Sequence, residues 1–398
     1  MIGYIVAIDE IGGSELMVYF DNSATTPPHQ EVVQSFLTTS TRYFGNPSSL
    51  HKLGGEAEKL LHEAKRQVAR LLHTDKPSEW ILTSGGTEGN NLAIKGAVYG
   101  AKREEQHLIT TTIEHPSVSE TFRQLEEKGF DVTYVDVDED GFVRPEAIEE
   151  AIRPHTTFVS VIHVNNEIGT VQPVKKIAQL CKGYRRITFH SDGVQAVGKV
   201  PIDITDLGVD LYTTSAHKFK GMKGTGMLYC KEGILLSPLF AGGQQEGTFR
   251  SGTQNVPGAV AMAKALRLLE ERRQNVYSDL HEISSYIREK LSEISDIVIH
   301  SPSKQVVPHI LNFSVVGKKG EVLVHALEEA DIYVSTTSAC SSKKSSLSET
   351  LLAKGVSPEV AKGALRVSLS YENTLEEAQY FIEELHRVIQ TVQSVKRK

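Results

Sequence analysis

The chain has 398 residues, of which 39% are hydrophobic and 23% are charged, and its formal net charge is −7. This length exceeds what one hydrophobic core usually serves, so we expect two or three domains. Acidic and basic residues are interspersed, so the charge pattern offers no electrostatic case for nucleic-acid binding. No apolar run reaches the length of a membrane span.

The first sixteen residues differ in composition from a targeting sequence. They contain Asp9, Glu10 and Glu15 but no lysine or arginine, unlike a secretory or mitochondrial presequence. Met17 would serve as a start of its own. We therefore treat residues 1–16 as an N-terminal extension that need not be ordered, and we take the cytoplasm as the expected location.

Hydrophobic patterning predicts alternating strands and helices over residues 18–230. The expected strands are 18–20, 80–83, 108–112, 132–135, 158–162, 187–189, 210–214 and 226–230. The expected helices are 53–72, 87–102, 118–128, 145–152 and 174–181. Such alternation is typical of a mainly parallel sheet with helices on both faces.

The pattern changes after residue 230. A long helix is expected at 257–294, and the remainder mixes strands with helices. Those strands are 297–300, 310–313 and 365–368, and those helices are 320–329 and 375–392. We therefore predict a large α/β domain over residues 17–256 and a smaller α+β domain over residues 257–398.

Two polar residues follow neighbouring predicted strands. Asp192 comes just after the strand at 187–189, and Lys218 comes just after the strand at 210–214. Ligands of parallel α/β sheets bind at the carboxyl ends of the strands. An acid and an amine there suit pyridoxal 5'-phosphate (PLP), which takes a lysine as its Schiff base and an acid at its pyridine nitrogen. The alternative, a surface lysine and a helix-capping aspartate, is commoner for such a pair taken alone.

Three further segments bring polar groups to predicted strand ends. The glycine-rich segment 83–88 precedes a helix, where free N–H groups can bind a phosphate, or it is a tight turn with Thr87 as N-cap. His115 can stack on a planar cofactor or be an ordinary satisfied polar residue. Asn165 and Asn166 can bind a cofactor or close a turn. The chain has no Walker A pattern, which disfavours a nucleotide-binding protein.

Together these segments resemble the class V aminotransferase branch of the fold-type I PLP enzymes, and closely the cysteine desulfurases of the NifS/IscS type. The resemblance runs from about Val18 to the C-terminus. It is carried by residues 19–26, 45–49, 83–88, 114–116, 165–169, 190–195, 215–218 and 250–253. It implies a PLP-binding domain with a mainly parallel, seven-stranded sheet, and a homodimer with shared active sites.

The resemblance also implies a role for individual residues. Lys218 matches the Schiff-base lysine, Asp192 the acid at the pyridine nitrogen, Gln195 the partner of the ring hydroxyl, and His115 the residue stacked on the ring. Arg366 matches the arginine that binds the substrate carboxylate. The remaining implied positions are the phosphate ligands Gly86, Thr87, Ser215 and His217, then Asn166 near the ring and substrate, and Thr253, a phosphate ligand from the neighbouring subunit.

The three cysteines are far apart and form no C-x-x-C pair, which argues against a disulfide framework or a zinc site. Cys181 and Cys230 lie in apolar-patterned elements and are expected to be packing residues. Cys340 lies in residues 335–346, which contain no large apolar residue, so we expect a mobile, exposed loop. Two following lysines should lower the pKa of its thiol. The segment resembles the persulfide-forming segment of the desulfurases.

These features predict a PLP-dependent cysteine desulfurase that converts L-cysteine to L-alanine and leaves a persulfide on Cys340. The sulfur then passes to an acceptor protein, either an iron–sulfur scaffold or a tRNA-thiolation enzyme. The alternatives are a selenocysteine lyase or small-amino-acid aminotransferase on the same scaffold, and a catalytically silent PLP-binding adaptor. No metal site and no direct contact with nucleic acid are expected.

Overall fold

A computed structural model describes residues 17–336 and 347–394 of the chain. Its largest element is a seven-stranded sheet in the order β2-β8-β7-β6-β5-β3-β4, in which β8 runs in the opposite direction to the other six strands. Its strands are β2 (Trp80–Thr83), β3 (His107–Thr111), β4 (Asp131–Val135), β5 (Thr156–Ser160), β6 (Thr188–Asp192), β7 (Leu211–Ser215) and β8 (Gly226–Cys230). The predicted mainly parallel α/β sheet is confirmed.

Helices cover both faces of this sheet. They are α1 (Gln30–Arg42), α2 (Lys52–Leu71), α3 (Gly86–Gly100), α4 (Pro116–Glu126), α5 (Pro145–Ala151), α6 (Val174–Lys182), α7 (Ile204–Leu207) and the long α8 (Val256–Ser292). Successive strand residues point to opposite faces, so Trp80 and Leu82 belong to one core and Ile81 to the other. The predicted helices of this region begin within two residues of those observed.

The amphipathic pattern after residue 50 forms the helix that it predicts. In α2, Ala57, Leu61, Ala64 and Val68 recur every three or four residues and are all buried. His51 caps this helix by accepting a hydrogen bond from the backbone N–H of Gly54. The buried face packs mainly against α8, so α2 closes one side of the large core.

The C-terminal part of the chain builds a second, smaller sheet. Its three antiparallel strands lie in the order β12-β10-β9. They are β9 (Ile297–Ile299), β10 (Ile310–Val315) and β12 (Ala364–Ser368), accompanied by α9 (Gly320–Glu328), α10 (Glu349–Ala353), α11 (Pro358–Ala361) and α12 (Leu375–Ser394). Separately, β1 (Val18–Tyr19) pairs in parallel with β11 (Ile332–Tyr333). The first described strand therefore packs with the C-terminal part of the chain.

Helix α8 connects the two hydrophobic cores. Its first half contributes buried residues such as Met262 and Leu266 to the core of the large sheet. Its second half contributes Ile287 and Leu291 to the C-terminal core, which also contains Val18. The division into residues 17–256 and 257–398 stays a prediction. Residues 1–16 and Cys340 lie outside the described residues.

The carboxyl ends of five strands place the predicted motifs along one edge. Asp192 is the last residue of β6, and Ser215 is the last residue of β7. Gly86 follows β2, His115 follows β3, and Asn166 follows β5. No helix within residues 17–336 or 347–394 combines the length and the apolar composition that crossing a membrane requires.

Two glycine substitutions test the packing of this fold in opposite directions. A Cβ on Gly226 would lie 2.6 Å from the carbonyl oxygen of Thr214 and 2.8 Å from Cα of Gly85, and backbone atoms cannot easily give way. We expect Gly226→Ala to lower the free energy of unfolding by about 1–3 kcal/mol.

Gly55 in α2 has no atom within 4 Å of such a Cβ. Gly55→Ala should raise that free energy by roughly 0.5–1 kcal/mol.

Denaturant unfolding of the two purified variants beside the wild type measures both effects. A Gly226→Ala variant as stable as the wild type would contradict the close packing of β8 against the segment that precedes α3.

Candidate functional site

A pocket with a cavity volume of about 200 Å³ opens at the carboxyl edge of the large sheet. Nine of the ten residues predicted to bind a cofactor line this pocket. They are Gly86, Thr87, His115, Asn166, Asp192, Gln195, Ser215, His217 and Lys218. These nine residues are spread over more than a hundred positions of the sequence, and the fold brings them together around one pocket.

The N-terminus of α3 offers a place for a phosphate. Gly85 is the N-cap residue, with φ at +148°, and no side chain caps the helix. The first backbone N–H groups of α3 are thus left available for an anion, and the helix dipole favours one there. The alternative in which Thr87 caps the helix is wrong, since Thr87 lies within its first turn. A Cβ on Gly86 would lie only 2.9 Å from Val194, so a glycine there keeps this end of the pocket open.

Asp192 is a buried acid that faces the pocket. Its Oδ1 accepts the backbone N–H of Val194 at 2.9 Å, and its Oδ2 accepts Nδ2 of Asn90 at 2.8 Å. Burial raises the pKa of Asp192, while these two hydrogen bonds and the charge of Lys218 act in the opposite direction. A cationic ring nitrogen beside it would favour the charged carboxylate further. The position suits an acid that holds a protonated pyridine.

Lys218 ends the short 3-10 turn that follows β7. Its amine donates hydrogen bonds to the carbonyl oxygens of Ser23, at 2.6 Å, and Ala24, at 2.8 Å. Gln195 donates to the same Ser23 oxygen at 2.9 Å. The loop after β1 therefore lies against the amine, and both side chains line the pocket with Asp192.

His115 is held as a neutral ring. It is the N-cap of α4, and its Nδ1 accepts the backbone N–H of Ser117 at 3.1 Å. Burial, followed by the nearby charges of Lys218 and Arg366, lowers the pKa of His115 to about 4. A neutral imidazole in the pocket wall suits stacking on an aromatic cofactor better than carrying a charge there.

Arg366 lies in β12 and is almost fully buried. Its Nη1 donates to the carbonyl oxygen of Asn166, and its Nη2 donates to Oδ1 of Asp21, both at 3.0 Å. Its Nε is buried without a hydrogen-bond partner among the described residues. The guanidinium thus lies between the loops that carry Asp21 and Asn166, next to the pocket.

One residue predicted to bind the cofactor, Thr253, is not in the pocket. Its side chain is exposed. Its assignment to a neighbouring subunit stays a prediction, as does the role of Cys340. Cys181 and Cys230 are buried in the hydrophobic cores, and burial raises the pKa of each thiol to about 12. The prediction that these two cysteines are packing residues is confirmed.

Sequence reasoning missed several residues of the site. Asn90 and Ser117 line the pocket, and Asp21 anchors Arg366. Asn90 follows Gly86 by four residues, so helical spacing could have placed it on the same face of α3. Lys199 donates to Oε1 of Gln195 at 2.8 Å, and burial lowers its pKa to about 7. No local pattern indicated that lysine.

Comparison with known proteins assigns this arrangement to a family. A family model described as aminotransferase class-V matches residues 18–381. The chain belongs to this family. It is 46% identical over 380 residues to a NifS/IcsS protein homolog of Lactobacillus delbrueckii subsp. bulgaricus, covering 94% of this chain and 97% of that protein. It is 40% identical over 379 residues to the cysteine desulfurase IscS of Dictyoglomus turgidum, covering 95% and 96%.

Solved structures agree with this assignment. A structure described as a NifS-like protein is 36% identical, with a TM-score of 0.89 over 94% of this chain and all of that one. Within the class-V family, the chain groups with the cysteine desulfurases of the NifS/IscS type, as its motifs predicted. Enzymes of this family depend on PLP, so the predicted cofactor is confirmed.

The pocket of this class-V enzyme fits PLP on three independent points. The uncapped start of α3 suits the phosphate. The buried Asp192 suits the pyridine nitrogen, and the amine of Lys218 suits the aldehyde. All three groups face the same cavity.

Chemical trapping distinguishes the two amines near this pocket. Borohydride reduction followed by peptide mass spectrometry should find the cofactor on Lys218. Lys199 is the competing amine, because its lowered pKa leaves much of it neutral near pH 7. We expect Lys218→Ala to lose the visible absorption of bound PLP and Lys199→Ala to keep it. Label found on Lys199 in the wild-type protein would contradict the assignment.

Proposed function

We propose that this class-V enzyme converts L-cysteine to L-alanine, leaves the sulfur on Cys340 as a persulfide, and passes it to an acceptor protein. The observation that carries this proposal is the single pocket lined by Lys218, Asp192 and His115, with the buried Arg366 beside it. The similarity to cysteine desulfurases over nearly the whole chain supports it.

PLP bound in this pocket supplies an electron sink for negative charge that develops at the substrate Cα. Lys218 is the base that removes the α-proton at its Nζ, and Ser23 and Ala24 hold that amine through their carbonyl oxygens. Asp192 would keep the ring nitrogen protonated, and the neutral His115 would pack against the ring.

Sulfur transfer is a displacement at the substrate sulfur. The Cys340 thiolate forms an S–S bond with that sulfur while the substrate Cβ–S bond breaks. The electron pair of the broken bond goes to the carbon fragment, which takes up protons and leaves as alanine. The product on the enzyme is a persulfide, so no external oxidant is required.

Arg366 is proposed to bind the substrate carboxylate. Its guanidinium is held by Asp21 and by the carbonyl oxygen of Asn166, so its orientation is set before substrate arrives. A planar, pre-oriented guanidinium is well suited to a carboxylate. Asn166 also lines the PLP pocket, which places this arginine next to the reacting amino acid.

The backbone connection of Cys340 is compatible with attack at this site. Ser335 and Arg366 exchange two backbone hydrogen bonds, of 3.2 and 2.7 Å. Cys340 is four residues beyond Thr336, a stretch that can span at most about 14 Å.

We also propose that the enzyme is a homodimer with shared active sites and that it donates sulfur in the cytoplasm. The exposed position of Thr253 supports a homodimer in which this threonine reaches the phosphate of the neighbouring site. An iron–sulfur scaffold or a tRNA-thiolation enzyme would accept the sulfur. The proposed location is the cytoplasm.

Replacing the persulfide cysteine separates the desulfurase from its alternatives. Cys340→Ser should keep PLP and the spectral change on adding L-cysteine, but lose alanine formation by at least about 100-fold, because the nucleophile is absent. Alanine release under single-turnover and steady-state conditions measures this. The buried Cys230→Ala is the matched control and should retain turnover. Full turnover by Cys340→Ser would favour an aminotransferase, and no alanine from the wild type would favour a silent adaptor.

Replacing the proposed carboxylate ligand tests substrate binding. Arg366→Lys keeps the charge but loses the planar fork, so the KM for L-cysteine should rise by roughly 10- to 100-fold while PLP stays bound. Steady-state kinetics and the visible spectrum report the two effects. Arg288→Lys is the control, because the hydrogen bonds of Arg288 within the described part of the chain go only to the carbonyl oxygens of Ser301 and Pro302. An unchanged KM in Arg366→Lys would assign the carboxylate to another group.

A further inference from the structure

Asn90 occupies a central place in the pocket although no motif pointed to it. It lies in α3, is completely buried, and lines the same cavity as Lys218. Its Nδ2 donates one hydrogen bond to Oδ2 of Asp192 and one to Oγ of Ser117, both at 2.8 Å. One amide nitrogen therefore connects the acid at the pyridine nitrogen to the start of α4.

The chemistry of the partners sets the orientation of this amide. An ionised carboxylate can only accept hydrogen bonds, so the NH₂ end of Asn90 must face Asp192. Both of its hydrogens are then used. Its Oδ1 is buried and has no hydrogen-bond partner among the described residues. Leaving that acceptor unpaired is unfavourable, so the two donated bonds must be what keeps the amide in place.

The hydrogen bond between Ser117 and His115 also has a defined direction. The hydroxyl of Ser117 accepts a hydrogen from Asn90, so its own hydrogen is free to be donated. Nδ1 of His115 lies 2.7 Å away and also accepts the backbone N–H of Ser117. An imidazole nitrogen with two donors carries no hydrogen itself. The neutral ring of His115 therefore carries its hydrogen on Nε2.

We propose that Asn90 is a positioning residue that orients two groups of the PLP site, the carboxylate of Asp192 and the ring of His115. It holds the carboxylate of Asp192 toward the pyridine nitrogen, and through the hydroxyl of Ser117 it holds His115 in the Nε2–H tautomer. This inference rests on the proposed placement of the cofactor between Asp192 and His115. A purely structural asparagine would instead contribute only to the packing of α3 on the sheet.

Three variants and two measurements separate these roles. Asn90→Leu removes the hydrogen bonds to Asp192 and Ser117. Ser117→Ala removes the contacts of the hydroxyl to Asn90 and His115 but leaves the hydrogen bond between Asn90 and Asp192. Asn91→Ala is the matched control, because Asn91 neighbours Asn90 on α3 and does not line the pocket. Among residues 17–336 and 347–394, its side chain donates hydrogen bonds only to backbone carbonyl oxygens. The first measurement is the rate at which PLP leaves the holo-protein. The second is the ¹⁵N resonance of His115 Nδ1 in histidine-labelled holo-protein, assigned with a His115→Gln variant.

Asn90→Leu should release PLP roughly 10- to 100-fold faster, the effect of losing one hydrogen bond to a charged group. In the same variant, the ¹⁵N resonance of His115 Nδ1 should also move toward that of a free, unprotonated ring nitrogen. Ser117→Ala should move the Nδ1 resonance in the same direction and leave PLP release near the wild-type rate. Asn91→Ala should change neither.

Thermal unfolding and circular dichroism show whether each variant is folded. A folded Asn90→Leu protein with wild-type PLP release and a wild-type Nδ1 resonance would overturn the proposal. If that variant does not fold, Ser117→Ala decides, since an unchanged Nδ1 resonance there contradicts the connection. Failure of the proposed PLP placement would show differently, as a wild-type protein whose cofactor is not trapped on Lys218.

Discussion

The burial of one carboxylate determines how the rest of the site is arranged. Asp192 ends a central strand, and removing its charge from water is costly unless donors surround it. The structure supplies the N–H of Val194 and the amide of Asn90, with Lys218 nearby. Strand β7, which leads to Lys218, and helix α3, which carries Asn90, must therefore be placed accurately relative to Asp192.

The loop after β1 joins the two parts of the chain at this site. It provides carbonyl oxygens to Lys218 and Gln195, and the carboxylate of Asp21 to Arg366. Its own strand pairs with β11, and Asp21 forms a bridge with Ser368 at the end of β12. These contacts hold Arg366, the proposed substrate arginine from the C-terminal sheet, next to the cofactor pocket of the large sheet.

The histidines of the site contribute shape and hydrogen bonds more than charge. Burial is the main reason that the pKa values of His115 and His217 fall to about 4. Near neutral pH these rings are uncharged. The charges that a zwitterionic amino acid and a phosphate would meet come instead from Lys218, Arg366 and Asp192, so recognition depends on a small number of fixed ionic groups.

The sequence by itself determined most of the strands and helices, although not α1, α7, α10, α11 or β11. It also determined the strand ends that carry chemistry and the family to which the chain belongs. Local periodicity and turn composition contain that information, and the helices and strands predicted for the large sheet begin within two residues of those observed. Only the tertiary structure decided that β1 pairs with β11, that Asp21 holds Arg366, and that Asn90 connects Asp192 to Ser117. Each of these contacts joins residues far apart in the chain, and a periodic pattern shows which face a residue occupies but not which distant residue it meets there.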